Sequence, residues 1–352
     1  MRNRLSLAIV IVTIFLLGFE AYAVAVVRLR GKAVFPGNIG NFERIRNSLR
    51  DQPAKDTFAF AVVSNTVETG TFMQICDKLR GEPLSFLIIL GDFVQTCTKA
   101  NHDYFKSEYI KRCRLPFPVF FVPGDRDVLY DEMNDNMDEV TLPDFERVYG
   151  PANFSFEYGG CLFIGLCTLP APYSNRDSMD FLASVLTTPR NDNKPVFVLT
   201  HMSPIAMEDF NADSFEGARD LAKLVDHYEV DYVISADGHG GAGTKQGNTT
   251  YLAAEGGTAS SQDKKIVGGA HHALVFTVHS DSVSEEIVLA RHHVDVGGAA
   301  RHFAVAELSP FLKKHRALTV VENLLILGVF CASLHNVIRV RKDQMVGSWY
   351  SC

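Results

Sequence analysis

The stretch FLIILGDFV at residues 86–94 decides the fold of this chain. Five apolar residues, 86–90, end directly in Gly91 and Asp92. A short apolar run that stops at a turn signal predicts a strand buried on both faces, as in a parallel sheet. Ligands of such sheets bind at the carboxyl ends of the strands. Asp92 therefore occupies a position where this fold places functional side chains.

The same pattern recurs on both sides of this stretch. Apolar runs predict further buried strands at 57–63, 119–122, 196–199 and 230–235. Polar, helix-competent segments separate them at 71–80, 104–112, 177–186 and 218–228. This alternation predicts an α/β fold. Farther along, closely spaced strands with glycine-rich connections at 251–254, 272–279 and 282–289 predict a meander.

Polar side chains follow these strands at several successive loops. The positions are Asn65 and Val67, then Asp92, then Asp125 and Arg126, then His201, and finally His239 with Gly241. Four of these loops carry a carboxylate or an imidazole directly after an apolar strand, which predicts a metal site. In the alternative interpretation, the same residues cap helices or complete hydrogen bonds.

The order of these motifs resembles that of the calcineurin-like metallophosphoesterase family over residues 57–290. Members of that family carry Asp-x-His, Gly-Asp, Gly-Asn-His-Asp, a lone histidine and Gly-His-x-His, each after a strand. The resemblance implies a two-sheet α/β/β/α sandwich. It also implies a two-metal site that hydrolyses phosphate esters, with the metals activating a water and clamping the phosphoryl oxygens.

The first and the last of these motifs lack metal ligands that the family has. Asn65 and Val67 replace the aspartate and histidine of the first motif, and Gly241 replaces the second histidine of the last. Valine cannot bind a metal, and a neutral amide is a poor replacement for a carboxylate. The first metal of the family depends on these positions. The resemblance therefore implies that the first metal site is lost.

The second metal site keeps a complete set of candidate ligands. The resemblance assigns them to Asp92, Asp125, His201 and His239. Two carboxylates with two imidazoles suit Zn, Mn or Fe, so we expect one divalent metal ion. Arg126 replaces the family histidine beside the leaving group. An arginine cannot act as a general acid, although it can contact a phosphate through two N–H groups.

Both ends of the chain carry apolar segments. Within residues 5–27, 19 of 23 residues are apolar, a run of roughly 34 Å as a helix. Residues 1–30 are thus a transmembrane signal anchor, a cleavable signal peptide or a buried helix, and the first two place the following domain outside the cytoplasm. Within residues 317–334, 13 of 18 are apolar. This tail predicts either a second membrane helix over 317–338 or an amphipathic helix.

Charge separates the body of the chain from its ends. Residues 41–312 contain 23 Lys+Arg and 38 Asp+Glu, whereas the two ends together contain 11 and 3. An acidic body argues against nucleic acid as a partner, and basic flanks favour a membrane surface. We expect a terminal segment over 1–30, a phosphoesterase domain over 41–300 and a tail over 301–352.

Three functions fit the sequence. The first is a membrane-tethered phosphoesterase-fold protein with one metal site and weak or no hydrolysis, which binds a phosphorylated small molecule or a protein. The second is an active mononuclear metal-dependent phosphoesterase or phosphodiesterase. The third is a non-catalytic structural subunit of a membrane assembly. In each case we expect the globular domain on the periplasmic, luminal or extracellular side of a membrane.

Overall fold

The computed structural model describes residues 2–30, 34–37, 39–40, 42–52, 57–67, 69–130, 138–189, 194–205, 215–236, 244–254, 271–290 and 295–349. The chain forms two compact units. One combines Met1–Lys32 with Val296–Cys352, and the other is Ala33–Asp295. All strands of the described residues lie in Ala33–Asp295, which we term the globular unit.

The strands of the globular unit form two mixed sheets. In chain order they are β1 (Phe58–Val63), β2 (Leu84–Leu90), β3 (Val119–Val122), β4 (Phe154–Tyr158), β5 (Cys161–Leu166), β6 (Val196–Thr200), β7 (Tyr232–Ser235), β8 (Thr244–Gln246), β9 (Thr249–Ala253), β10 (His271–Val278) and β11 (Val283–Ala290). The first sheet has the order β11-β10-β1-β2-β3 and the second the order β4-β5-β6-β7-β9-β8.

Parallel strands form the centre of each sheet. In the first sheet β1, β2 and β3 run parallel, and β10 pairs antiparallel with β1. In the second, β5, β6, β7 and β9 run parallel between the antiparallel strands β4 and β8. The predicted meander is wrong in one respect, because β9 pairs with β7 and only β10 and β11 form a hairpin in the first sheet.

Helices cover the outer faces of both sheets. They are α3 (Thr71–Leu79), α4 (Lys99–Glu108), α5 (Leu142–Tyr149), α6 (Arg176–Leu186) and α7 (Ala218–His227). Helix α2 (Phe42–Arg50) instead packs Ile45 and Leu49 into the hydrophobic layer between the two sheets. A π-helical turn, Tyr109–Cys113, continues α4. A disulfide between Cys76 and Cys113 links α3 to this turn, a pairing that the sequence did not predict.

The side chains of each strand alternate between two hydrophobic layers. On β2, Phe86 and Ile88 face the space between the sheets, where they pack with Phe163 and Phe197 of the second sheet. The neighbouring side chain of Ile89 packs with the helices on the outer face. This alternation follows from the two-residue period of a strand. A third layer lies between the second sheet and helices α6 and α7. The two-sheet α/β/β/α sandwich is therefore confirmed.

The remaining helices form the second unit, which we term the terminal helical unit. They are α1 (Arg2–Arg30), α8 (Val296–His302), α9 (Ser309–Lys314) and α10 (Arg316–Trp349), with a π-helical turn, Phe303–Leu308, before α9. Two segments are long and apolar enough to cross a membrane, Arg4–Arg28 and Arg316–Lys342. Asn323 donates a hydrogen bond to Glu20 at 2.9 Å and so joins α10 to α1.

Candidate metal centre

The parallel strands bring three candidate ligands to one place. Asp92 follows β2, Asp125 follows β3, and His201 follows β6 of the other sheet. One ligand atom from each residue lies within 4.8 Å of the other two. The side chain of His201 is only 1% exposed, whereas that of Asp125 is 40% exposed. The cluster is therefore anchored in the interior and open on the side of Asp125.

A hydrogen bond from His201 sets the orientation of its ring. Nδ1 of His201 lies 2.7 Å from the carbonyl oxygen of Leu90, which can only accept, so Nδ1 carries a hydrogen. Nε2 lies 3.1 Å from Oδ1 of Asp125 and 3.6 Å from Oδ1 of Asp92. A neutral imidazole would point a lone pair at both carboxylates. Either a proton or a cation must therefore lie between these three groups.

The two carboxylates of the cluster differ in their environment. Burial raises the pKa of Asp92, the imidazole of His201 opposes this shift, and the charge of Asp125 adds to it. The hydrogen bond with His201 lowers the pKa of the more exposed Asp125. The negative charge is thus more easily kept on Asp125, at the open side of the cluster.

Two glycines permit the close approach of these loops. A Cβ atom on Gly91 would lie 2.8 Å from Nδ1 of His201, and φ of Gly91 is +81°. A Cβ atom on Gly124 would lie 2.9 Å from Cε1 of His201 and would overlap the Asp92 carboxylate. Asp92 itself has φ of +55°, a left-handed conformation that aspartate tolerates better than most residues. Glycine at positions 91 and 124 is therefore a steric requirement of the site.

The buried carboxylate of Asp127 links the loop after β2 to the loop after β3. It accepts hydrogen bonds from the backbone N–H groups of Asp92 at 2.7 Å, Phe93 at 3.1 Å, Val94 at 3.4 Å and Gly124 at 2.9 Å. Burial and the negative charge of Asp92 raise the pKa of Asp127, whereas the backbone N–H groups of Gly124 and Asp92 oppose this shift. All four contacts are donors, however, and a protonated acid would need an acceptor. The four N–H donors therefore fit Asp127 in its ionised, carboxylate form.

A buried histidine supports the loop that follows β3. Nε2 of His102 donates to the carbonyl oxygen of Asp127 at 2.8 Å, and Nδ1 accepts from the hydroxyl of Tyr149 at 2.7 Å. Burial lowers the pKa of His102 to about 4. The ring is therefore neutral near pH 7, and its two hydrogen bonds fix the tautomer.

Arg126 contacts both carboxylate oxygens of Asp92. Its Nε is 3.3 Å from Oδ2 of Asp92, and its backbone N–H donates to Oδ1 at 3.1 Å. The side chain remains 54% exposed. Asn65 donates through Nδ2 to the carbonyl oxygen of Ala236 at 3.3 Å, and Val67 is half-buried. His239 and Gly241 lie outside the described residues.

Comparison with known proteins identifies the family. The sequence profile of calcineurin-like phosphoesterases matches residues 65–241, about half of the chain. The chain belongs to the calcineurin-like phosphoesterase family. No curated protein sequence matches it significantly.

Several solved structures are similar to this calcineurin-like phosphoesterase. They include purple acid phosphatase from yellow lupin (15% identity over 68% of this chain, TM-score 0.48) and GAP50, described as the anchor in the inner membrane complex of Plasmodium (14% over 72%, TM-score 0.47). A dimetal phosphatase from Danio rerio is 10% identical over 69% of the chain, with a TM-score of 0.47. The alignments cover 52%, 96% and 100% of those chains, respectively. The chain thus spans about half the length of the lupin enzyme.

The cluster of this calcineurin-like phosphoesterase fits a divalent cation. Two carboxylate oxygens and one imidazole nitrogen converge, and a backbone carbonyl fixes the tautomer of the imidazole, as is usual for metal-ligating histidines. Oxygen and nitrogen ligands of this kind suit Zn, Mn or Fe. When bound, such an ion supplies Lewis-acid polarisation of a phosphoryl oxygen.

Two residues that support the cluster were not predicted from the sequence. Asp127 stands in the same loop as Asp125, and a second carboxylate directly after a strand was a signal for its role. His102 lies on α4 outside any motif. Its role depends on packing between α4, α5 and the loop after β3, and the sequence carries no local signal for that packing.

Proposed function

We propose that this protein is a membrane-tethered calcineurin-like phosphoesterase-fold protein that holds one divalent cation at Asp92, Asp125, His201 and His239. It binds a phosphorylated small molecule or a protein partner at this cation and at Arg126, and it hydrolyses phosphate esters weakly or not at all. Its partners are the membrane and this small molecule or protein, with no role for nucleic acid.

The contact between Arg126 and Asp92 carries this proposal. In the family, the carboxylate at the position of Asp92 bridges two metals, so one of its oxygens faces each metal. Here Oδ1 faces His201, and Oδ2 faces the guanidinium of Arg126. The positive charge of Arg126 therefore compensates the oxygen that would otherwise need the first metal.

The neighbouring positions support the loss of the first metal. Asn65 uses its amide N–H to reach the carbonyl oxygen of Ala236, an interaction that the family aspartate at this position could not make. Val67 offers no ligand atom. In the family, two metals together activate the attacking water. Because neither position 65 nor position 67 supplies a ligand for the first metal, only the second metal would be left to activate that water.

Arg126 is suited to binding and not to proton transfer. An arginine side chain in a protein does not act as a general acid, so this position offers no proton for a leaving group. The side chain of Arg126 is half exposed and its N–H groups match the geometry of phosphate oxygens. A phosphate group would therefore be held between the cation and the guanidinium without an acid to complete its hydrolysis.

The disulfide and the terminal helices support the proposed location. Cys76 and Cys113 are both buried and bonded, and such disulfides persist in oxidising compartments such as the periplasm, the secretory lumen and the cell exterior. The hydrogen bond from Asn323 to Glu20 joins the two apolar helices at matching depth, which favours a retained anchor over a cleaved signal peptide. The globular unit then lies outside the cytoplasm.

Metal analysis of the purified full chain, combined with a turnover assay, tests the proposal. We expect about one Zn, Mn or Fe per chain, with the metal lost in Asp125→Ala and retained in the control Asp103→Ala, whose exposed carboxylate pairs with Lys106 on α4. Turnover of a generic phosphodiester with each metal should stay at the level of the His201→Ala variant. Turnover that His201→Ala abolishes would instead identify an active mononuclear hydrolase. A chain without metal would be a structural scaffold.

A further inference from the structure

A large groove lies within the terminal helical unit, between α1 and the α9–α10 segment. Its volume is about 1130 Å³. The walls are mainly apolar and include Leu17 and Val24 of α1 and Leu312 and Val320 of the opposite segment. Val24 and Val320 are exposed on its surface. A groove of this size and composition can accept an alkyl chain.

Three basic side chains line one end of the groove. Arg28 stands at the end of the first candidate span, Arg316 at the start of the second, and Lys313 one turn before it. All three are exposed. If both spans cross the membrane, α1 leaves it where α10 enters it. The three cations then lie together at the level of the lipid headgroups on one surface.

The acidic residue of the groove lies away from these cations. Among the described residues that line it, Glu20 is the one acid. It stands eight residues before Arg28, roughly 12 Å deeper along the helix. Its carboxylate accepts the hydrogen bond from Asn323. The charge of the groove is therefore divided, with the three cations at one end and its acid, hydrogen-bonded to Asn323, deeper among the apolar side chains.

We propose that this groove binds one anionic phospholipid of the surrounding membrane. The phosphate lies among Arg28, Lys313 and Arg316, and an acyl chain runs along Leu17 and Val320. The charge at this end of the groove selects an anionic over a zwitterionic headgroup, because each Lys or Arg near a membrane surface is attracted to anionic lipid by about 1 kcal/mol. This inference rests on the proposed membrane anchoring of the chain.

Native mass spectrometry of the full chain tests this binding. The protein is reconstituted in bilayers of phosphatidylcholine with a minor fraction of phosphatidylserine, then released in mild detergent, and the retained lipids are identified. The test variant is Lys313→Gln/Arg316→Gln. The matched control is Arg339→Gln/Arg341→Gln, which removes two exposed charges from the other end of α10. Wild type and control should retain one phosphatidylserine, and the test variant should bind it about thirtyfold more weakly.

A second variant removes the groove without changing any charge. Ala21 lines the groove, and Ala21→Phe would fill it. This variant should also lose the lipid while keeping all three cations. Equal retention by wild type and by both groove variants would overturn the proposal. An equal loss of phosphatidylserine from the Arg339→Gln/Arg341→Gln control would overturn it as well. The lipid would then be attracted by basic residues in general and not by the groove.

Alkaline carbonate extraction of membranes separates this proposal from the proposed anchoring. A chain that is released by carbonate is not an integral membrane protein, and the anchoring itself is then wrong. A chain that resists extraction but retains no phosphatidylserine keeps its anchor and lacks only the lipid site.

Discussion

Nε of Arg126 lies 3.3 Å from Oδ2 of Asp92, and the backbone N–H of the same arginine donates to Oδ1 at 3.1 Å. One residue thus contacts both oxygens of the carboxylate that joins the two halves of the site. The exposed part of the guanidinium borders the cluster of Asp92, Asp125 and His201. The proposed anion site and the proposed metal site therefore share a single carboxylate.

Replacing Arg126 by glutamine should weaken the binding of inorganic phosphate to the metal-loaded chain by about tenfold or more. A charged hydrogen bond to phosphate contributes on the order of 1.5–3 kcal/mol. Isothermal titration calorimetry with inorganic phosphate measures this change. Arg147→Gln is the control, because Arg147 pairs with Asp144 on the exposed side of α5. Equal affinities for wild type and Arg126→Gln would remove Arg126 from the proposed ligand site.

Adding a methyl group at Gly124 should destroy the metal cluster. The new Cβ atom would overlap the Asp92 carboxylate and approach Cε1 of His201 to 2.9 Å, so at least one ligand must move. We expect Gly124→Ala to lose bound metal and to lower the free energy of unfolding by about 1–3 kcal/mol. Gly81→Ala is the control, since a Cβ atom there meets nothing within 4 Å. Metal content and thermal unfolding followed by circular dichroism report both effects. Normal metal content in Gly124→Ala would show that the cluster does not depend on this close approach.

The fold class and the positions of three candidate ligands could be predicted from local sequence. Apolar runs that end in Gly-Asp or a histidine fix both the strands and the residues at their carboxyl ends, which is why Asp92, Asp125 and His201 converge as predicted. The position of β9 depends on pairing between distant strands, and a local pattern cannot reveal it. The same holds for His102, whose partners are contributed by α5 and the loop after β3.

Stability should fall between pH 6.5 and pH 4 because of His102. Its pKa is about 4 in the folded chain and 6.5 in an unfolded one, so over this window the unfolded chain binds a proton that the folded chain does not. Burial is the main cause, Lys106 adds to the shift, and the backbone carbonyl of Asp127 and the charge of Asp103 oppose it. The contribution is fully present above pH 6.5, and about 3 kcal/mol is lost by pH 4.

Denaturant unfolding at several pH values, followed by circular dichroism, measures this loss. His102→Asn should be less stable at pH 7 and should lose less stability on acidification than wild type. His227→Asn changes an exposed histidine on α7 and should show the wild-type loss. Parallel pH profiles for wild type and His102→Asn would assign the acid sensitivity to other groups.

The disulfide between Cys76 and Cys113 should be present in cells and should stabilise the globular unit. It closes a loop of 37 residues, for which chain entropy gives about 4 kcal/mol. Cys76→Ser/Cys113→Ser should unfold at a lower temperature, whereas Cys161→Ser, which changes a buried cysteine outside the disulfide, should keep the bond. Alkylation of thiols before and after reduction, on chains trapped in intact cells, counts the bonded cysteines. Free thiols at both positions would place the globular unit in a reducing compartment and contradict the proposed location.

Restoring the family residues at three positions should return a second metal to the site. In Asn65→Asp/Val67→His/Arg126→His, the first half-site regains a carboxylate and an imidazole, and the arginine that faces Oδ2 of Asp92 is gone. Without metal this variant should be less stable than wild type, because an aspartate at position 65 would face the carbonyl oxygen of Ala236 and would have no N–H to donate. Added Mn should raise its melting temperature and its metal content from one to two per chain, with turnover of a generic phosphodiester appearing at the same time. Asn65→Asp alone is the control and should stay at one metal, since Val67 still supplies no ligand. If the triple variant binds a single metal, then the loss of the first site has a cause beyond these three side chains.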